Sequence, residues 1–243
     1  MKLGVNIDHV ATLRQARYVA DIAAHNAEPS VLAAAKACEA AGASSITVHL
    51  RADRRHIQDA DVFALRAALA TKLNLEMGNT PEIVEIALAV RPADVCLVPE
   101  NRAEVTTEGG LDAVGQLAAL RPTVARLREA GVRVGLFIEP DHAQIEAAHA
   151  LGAEVVELHT GAFANAQGVQ QITALAHLMG AAHFAQELGL QVNAGHGINY
   201  ENVSLIRRIP HLVELNIGHS IVSRAVFVGL DAAVRGMLAG MKA

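Results

Sequence analysis

Twelve histidines occur in this chain of 243 residues, and five of them sit at the ends of short apolar runs. His9 follows "LGVNID", His49 lies in "SITVHL", His159 in "VVELHT", His196 in "VNAGHG" and His219 in "NIGHS". Carboxylates recur in the same kind of place, as Asp8, Glu76, Glu100, Glu139 and Glu157. An imidazole exchanges a proton near neutral pH, so several together suit chemistry that moves protons on carbon or oxygen. Glu76 stands inside the apolar run "LNLEM", where loss of hydration would raise its pKa and strengthen it as a base. Two of the histidines stand beside glycine, in "AGHGIN" and "NIGHS". Glycine lets backbone amides approach an anion, and a helix starting after such a loop adds its dipole. Arg17, Arg51, Arg54, Arg55 and His56 offer further cations. These residue types point to acid–base chemistry on a phosphorylated small molecule. No metal is expected, because adjacent Asp8 and His9 on an extended strand would diverge and chelate poorly.

Such groups need a scaffold that brings distant segments together. Short apolar stretches alternate along the chain with longer Ala/Leu-rich stretches of helical period. The strand candidates are 3–8, 45–50, 73–77, 94–99, 133–139, 155–160, 191–195 and 212–218. The helix candidates are 30–41, 59–70, 80–91, 111–130, 141–151, 169–188, 199–208 and 222–241, with room for another helix within 161–188 and a helical turn within 18–30. Gly42, Gly131, Gly152 and Gly189 close helical stretches just before strands, as left-handed caps do. Thr80-Pro81 reads as a helix start, with a capping hydroxyl and a proline in the first turn. Nearly apolar strands are expected where both sheet faces are covered. Eight such units predict an α/β fold, a closed (β/α)8 TIM barrel with a few additional helices, filling residues 1–243 as one domain. An open doubly wound sheet is the alternative on pattern alone. In the barrel, every strand carries a polar group toward the carboxyl rim, where such folds place their chemistry.

The bulk properties narrow the partners. A net charge of −5 argues against a general nucleic-acid surface. No apolar run approaches the roughly 18 residues of a membrane span, and "MKLGVNIDHV" is too polar for a secretory signal. Cys38 and Cys96 lie in apolar segments without metal-ligand spacing and read as free thiols of a reducing compartment. The expectation is a cytoplasmic protein with neither membrane nor nucleic-acid partner.

Seven segments carry a resemblance: "GVNIDHVATLRQAR" (4–17), "ITVHLRADRRHI" (46–57), "LNLEM" (73–77), "CLVPENRAEVTTEGGLD" (96–112), "ELHTG" (157–161), "VNAGHG" (192–197) and "ELNIGHSIVSRAV" (214–226). Together they resemble the pyridoxine 5'-phosphate synthase family of the deoxyxylulose-dependent route to vitamin B6. The chain departs from that family at 18–30, where the family has a shorter Gly/Pro-containing connection. The resemblance implies condensation of 3-amino-2-oxopropyl phosphate with 1-deoxy-D-xylulose 5-phosphate to pyridoxine 5'-phosphate, phosphate and water. It implies His49 and Glu76 as general bases, His196 as general acid and Glu157 as a transition-state stabiliser. Asn6, Arg17, Gly197, Gly218 and His219 are implied to bind the amino-ketone phosphate. Asp8, His9, Arg51, His56 and Thr106 are implied to bind deoxyxylulose phosphate. It further implies small-molecule phosphorylated substrates, no metal or organic cofactor, and a homo-octamer built from dimers. The residues alone leave open another phosphate-binding barrel lyase or isomerase, or a barrel that only binds a phosphometabolite. The polar loop 100–110 is expected to act as a lid.

Overall fold

A computed structural model describes residues 1–22, 24–100 and 109–242. Eight parallel strands pair in chain order: β1 (Lys2–Asn6), β2 (Ser45–His49), β3 (Lys72–Met77), β4 (Asp94–Leu97), β5 (Arg133–Ile138), β6 (Val155–His159), β7 (Gln191–Gly195) and β8 (Leu212–Ile217). β8 pairs back onto β1, with Leu3 beside Leu215, so the predicted closed (β/α)8 barrel forms. Around it lie α1 (Asp8–Tyr18), α2 (Val31–Ala41), α3 (Asp59–Ala68), α4 (Pro81–Val90), α5 (Leu117–Glu129), α6 (His142–Leu151), α7 (Gly161–Asn165), α8 (Gly168–Glu187), α9 (Val203–Ile206), α10 (His219–Val228) and α11 (Leu230–Lys242).

The strands alternate, which corrects the expectation that they are nearly apolar throughout. Leu3, Val5, Ile46, Val48, Leu73, Leu75, Val134, Leu136, Val156 and Leu158 turn outward and join the helices in one continuous buried core. Each such side chain contributes roughly 1.5–3 kcal/mol by leaving water. The residues between them turn into the barrel, and most are polar. At its floor Lys72, Asp94 and Arg133, the first residues of β3, β4 and β5, meet Glu214 of β8. Lys72 Nζ lies 2.7 Å from Asp94 and 3.1 Å from Glu214, and Arg133 lies 2.8 Å from Asp94. Above them, Asn74 donates to Thr47 Oγ1 (3.2 Å), Thr47 donates to Asn216 Oδ1 (3.0 Å), and Asn216 donates to Glu157. Among the described residues, only Cys96, Val98 and Phe137 form a separate apolar cluster.

Several elements differ from the sequence expectation. The first strand stops at Asn6 and α1 begins at Asp8, a helix with no counterpart in the reading of 3–8 as strand. Its buried face mixes Val10 and Ala11 with Asp8 and Arg14, so its apolar period is weak. Arg14 is satisfied by a two-pronged bridge to Asp61, both bonds 2.7 Å. The segment 199–208 contains only the four-residue α9, and 222–241 breaks at Gly229 (φ +81°) into α10 and α11. The region 161–188 does hold two helices, α7 and α8, whereas the described part of 18–30 makes turns beyond the end of α1. Gly42 and Gly152 are left-handed caps as expected. Pro81 opens α4, but Thr80 Oγ1 is buried without a hydrogen-bond partner among the described residues, so its hydroxyl does not cap.

The floor cluster makes stability depend on pH. Burial opposes ionisation of Asp94, but hydrogen bonds from Arg133 and Lys72 outweigh it and hold the carboxyl below its ordinary value. Its contribution is therefore present above the ordinary Asp pKa and lost as pH falls through the depressed folded value. Asp94→Ala is expected to cost about 2 kcal/mol, by stripping two half-buried cations of a shared partner, and to flatten the acid side of the stability curve. Urea denaturation across acid and neutral pH, at fixed protein concentration, measures both.

Candidate active site

A cleft of about 1060 Å³ opens where the strands end. It is lined by groups from six strand ends and the segments that follow: Asn6, Asp8 and His9, His49, Arg51 and His56, Glu76, Glu157, then His196 to Asn199 and Asn216 to Ser220. Parallel register puts Glu76 beside Cys96 and Phe137 beside Glu157. The apolar cluster of Cys96, Val98 and Phe137 therefore shields both carboxylates from water. Burial, reinforced by the charges of Glu157 and Asp8, raises the pKa of Glu76 well above the ordinary range. Burial also raises Glu157, against the hydrogen bond from Asn216 and with repulsion from Glu214. A side chain at Gly195 would collide with Glu157 Oε1, so the glycine there leaves room for this carboxylate.

Asp8 joins the ends of β1 and β2. Its carboxylate accepts from Asn6 Nδ2 and from the backbone N–H of His49, both at 2.8 Å. Its place in the first turn of α1 suits the positive end of the helix dipole. His49 Nε2 donates to Glu100 Oε1 at 3.1 Å, and Glu100 also accepts from the amides of Gly78 and Ala52. Burial opposes ionisation of Glu100, but the bond from His49 and these amides hold it below the ordinary range. His56 is buried, and Nδ1 accepts from the amide of Ile57 at 2.8 Å, so neutral His56 carries its proton on Nε2. Desolvation lowers its pKa most; the charge of Asp8 opposes this, and those of His49, Arg51 and His9 reinforce it.

The loops after β7 and β8 form the opposite wall. His196 and Gly197 both have positive φ, +79° and +74°, and this reverses the chain just past β7. Thr160 ties the turn down, donating to the carbonyls of Gly195 and His196. Asn202 donates to the carbonyl of Gly197 at 3.0 Å, and Ser220 to that of Ile198 at 2.9 Å. Gly218 precedes α10, whose N-terminus opens on the cleft. The Nδ1 atoms of His9 and His219 are 3.0 Å apart, joining the ends of β1 and β8. Burial and the charge of His219 lower the pKa of His9, against Asp8. Backbone amides, a helix N-terminus and two imidazoles make this wall fit for a phosphate.

The cleft thus gathers His49, Glu76, Glu157, His196, Asn6, Asp8, His9, Arg51, His56, Gly197, Gly218 and His219. Arg17 is not among its lining residues; it is exposed on the last turn of α1, next to the lining residue Ala16. Thr106 and most of the expected lid lie outside the described residues. Asp8 and His9 stand in the first turn of a helix rather than on the extended strand that was expected, and both line the cleft. Sequence reasoning left out Glu100 as the partner of His49, and Asn216 as the partner of Glu157. Asn216 was visible as an inward position of an alternating strand and Glu100 as a carboxylate just past an apolar run, but nothing local marked their partners. Among the described residues, no group of three or more His, Cys, Asp or Glu is placed to hold a metal ion.

Known proteins extend these observations. The family model described as "Pyridoxal phosphate biosynthesis protein PdxJ" matches residues 3–243. A protein of Akkermansia muciniphila named pyridoxine 5'-phosphate synthase is 58% identical over 238 residues, covering 98% of this chain and 97% of that protein. One of the same name from Synechococcus sp. is 57% identical, covering 99% of this chain and 98% of that protein. Among solved structures, a 3-hexulose-6-phosphate synthase aligns with TM-score 0.67 at 15% identity, covering 99% of this chain and all of that one. The phosphoribosyl anthranilate isomerase of Thermus thermophilus aligns with TM-score 0.60 at 14% identity, covering 100% and 98%. At such identities the structural matches speak for the barrel alone.

The β7 turn admits a direct test. A Cβ at Gly197 would lie 2.5 Å from Cβ of Ala164 in α7, at a φ that L side chains avoid. Gly197→Ala is expected to cost more than about 1 kcal/mol in chemical denaturation. Adding Ala164→Gly should recover the steric part only, because the backbone strain remains.

Proposed function

The chain belongs to the PdxJ family of pyridoxal phosphate biosynthesis proteins, and on that premise we propose that it is a pyridoxine 5'-phosphate synthase. In this reading a single-domain, cytoplasmic enzyme condenses 3-amino-2-oxopropyl phosphate with 1-deoxy-D-xylulose 5-phosphate. The products are pyridoxine 5'-phosphate, phosphate and water. The observation that carries the reading is the meeting of His49, Glu76, Glu157 and His196 in one cleft with glycine-bounded anion loops.

Imine formation, elimination, hydration, ring closure and aromatisation need groups that take and return protons in turn. Glu76 and Glu157 influence each other in a poorly hydrated place, so adding a second negative charge is unfavourable. A base whose pKa is raised toward neutrality takes a proton from carbon more readily. With Glu100 engaging Nε2 of His49, Nδ1 is the nitrogen left to act as base. His196 serves as proton donor, and Glu157 stabilises charge in the transition state. Asn6, Arg17, Gly197, Gly218 and His219 bind the amino-ketone phosphate, which stays to the end; amides and a helix dipole hold it without titrating. Asp8, His9, Arg51, His56 and Thr106 bind deoxyxylulose phosphate, whose phosphate departs; the Nε2 proton of His56 can go with it. No metal or organic cofactor enters this scheme. Assembly into a homo-octamer is supported by exposed apolar side chains at α1 and α10, among them Leu13 (59% exposed) and Phe227 (87%). No helix among the described residues is long and apolar enough to cross a membrane.

Incubation of the purified protein with both phosphorylated substrates and a chelator is expected to yield pyridoxine 5'-phosphate and inorganic phosphate in equal amounts. No product from folded protein would refute the assignment. As a base, Glu76 acts deprotonated, so kcat/KM should fall as pH drops through its raised pKa, well above the ordinary glutamate value. Glu76→Gln is expected to lower kcat at least about 10²-fold and abolish that acid limb. Full turnover with an unchanged pH profile would remove Glu76 from this role.

A further inference from the structure

One further histidine stands against the reacting groups without an assigned role. His159 ends β6, two residues beyond Glu157 on the same inward face. Its side chain is 10% exposed, and Nδ1 lies 2.7 Å from Oε1 of Glu139. The amide of Gly110 donates to the same oxygen at 2.8 Å. The bond from His159 does most to hold Glu139 below the ordinary carboxylate range, with burial opposing. Glu139 is therefore an acceptor, Nδ1 carries the proton, and neutral His159 has a lone pair on Nε2. That Nε2 is buried and has no hydrogen-bond partner among the described residues.

Beside this ring lies the ring of His196, with centroids 5.0 Å apart and planes at 62°. Phe137 packs on His159 as well, with centroids 5.2 Å apart. The gap by the two imidazoles is kept by Gly161 at the start of α7. A Cβ there would collide with Nε2 of His159 and come within 3.2 Å of Cδ2 of His196. Among the described residues, the titratable groups near the pair are Glu139 just past β5, Glu157 from β6 itself and His196 from the β7 turn. Phe137 and Gly161 add no charge.

We propose that Glu139 and His159 form a positioning pair for His196. Glu139 fixes the tautomer and orientation of His159, whose Nε2 lone pair then favours the protonated form of His196. A lone pair and a carboxylate on the same side both stabilise an imidazolium, the form a proton donor must hold before it reacts. The pair extends the reading of His196 as the acid and rests on it.

The sign of the effect is definite. An acid works protonated, so activity is lost as pH rises through the pKa of His196, and lowering that pKa moves the alkaline limb to lower pH. His159→Phe keeps a ring without the lone pair, and Glu139→Gln keeps shape without charge. Each is expected to lower the His196 pKa by about one unit and to shift the alkaline limb of kcat/KM equally, with kcat little changed on the low-pH side. His159→Gln, which can place an amide oxygen near the Nε2 position, should retain most of the wild-type limb. The His196 pKa is read by hydrogen–deuterium exchange at its imidazole C2, followed by mass spectrometry. That measurement needs no substrate, so its failure is distinct from a failure of the synthase assay. An unchanged His196 pKa in folded His159→Phe and Glu139→Gln would overturn the proposal. So would an equal loss of activity at every pH without movement of the limb, which would make His159 a packing residue.

Discussion

A carboxylate inside a closed barrel must be hydrogen-bonded, and the interior of this protein is arranged around that requirement. Leaving an ionised carboxylate buried without partners would cost several kcal/mol. Glu157 is served by Asn216, which is held by Thr47, which is held by Asn74. The chain of bonds crosses from β3 through β2 and β8 to β6, so one functional group depends on the register of four strands. Glycine has to stand at 4 and 195 because a side chain there would collide with Asn216 or Glu157. Beneath, Lys72 and Arg133 neutralise Asp94 and Glu214. The barrel thus gains most of its apolar burial on its outer surface and keeps its interior for polar work.

The mouth sorts its carboxylates by surroundings. Glu76 and Glu157, against Cys96, Val98 and Phe137, have raised pKa values because water is excluded and negative charges are close. Glu100 and Glu139 are held low because each accepts an imidazole N–H and at least one backbone amide. Inner carboxylates can therefore exchange protons, while outer ones stay ionised and orient histidines. Such a separation of pKa values is how one site holds both acid and base functions near neutral pH.

Much of this was legible in the chain. The rhythm of apolar runs and glycine caps predicted eight strands and a closed barrel, and strand-end positions such as His49, Glu76 and His196 could be read from that rhythm. The missed helix α1 shows where the rhythm fails. Its inner face carries Asp8 and Arg14, whose burial is satisfied by partners 41 and 47 positions away. Periodicity counts apolar residues and cannot see a charge whose partner lies in another segment. Thr80 shows the same limit on a smaller scale, since the preferred capping residue is in place but its hydroxyl points elsewhere.

The sequence by itself determined the order of elements, the end of the barrel where chemistry gathers, and the residue types that gather there. These follow from local preferences, alternation and chain direction, all of which are written along the chain. Tertiary structure alone decided the pairings: Glu100 with His49, Asn216 with Glu157, and Glu139 with His159 beside His196. It also decided which carboxylates are raised and which are held low. A pKa is set by burial and by the nearest charges and donors, and in a closed barrel those neighbours come from strands far apart in sequence.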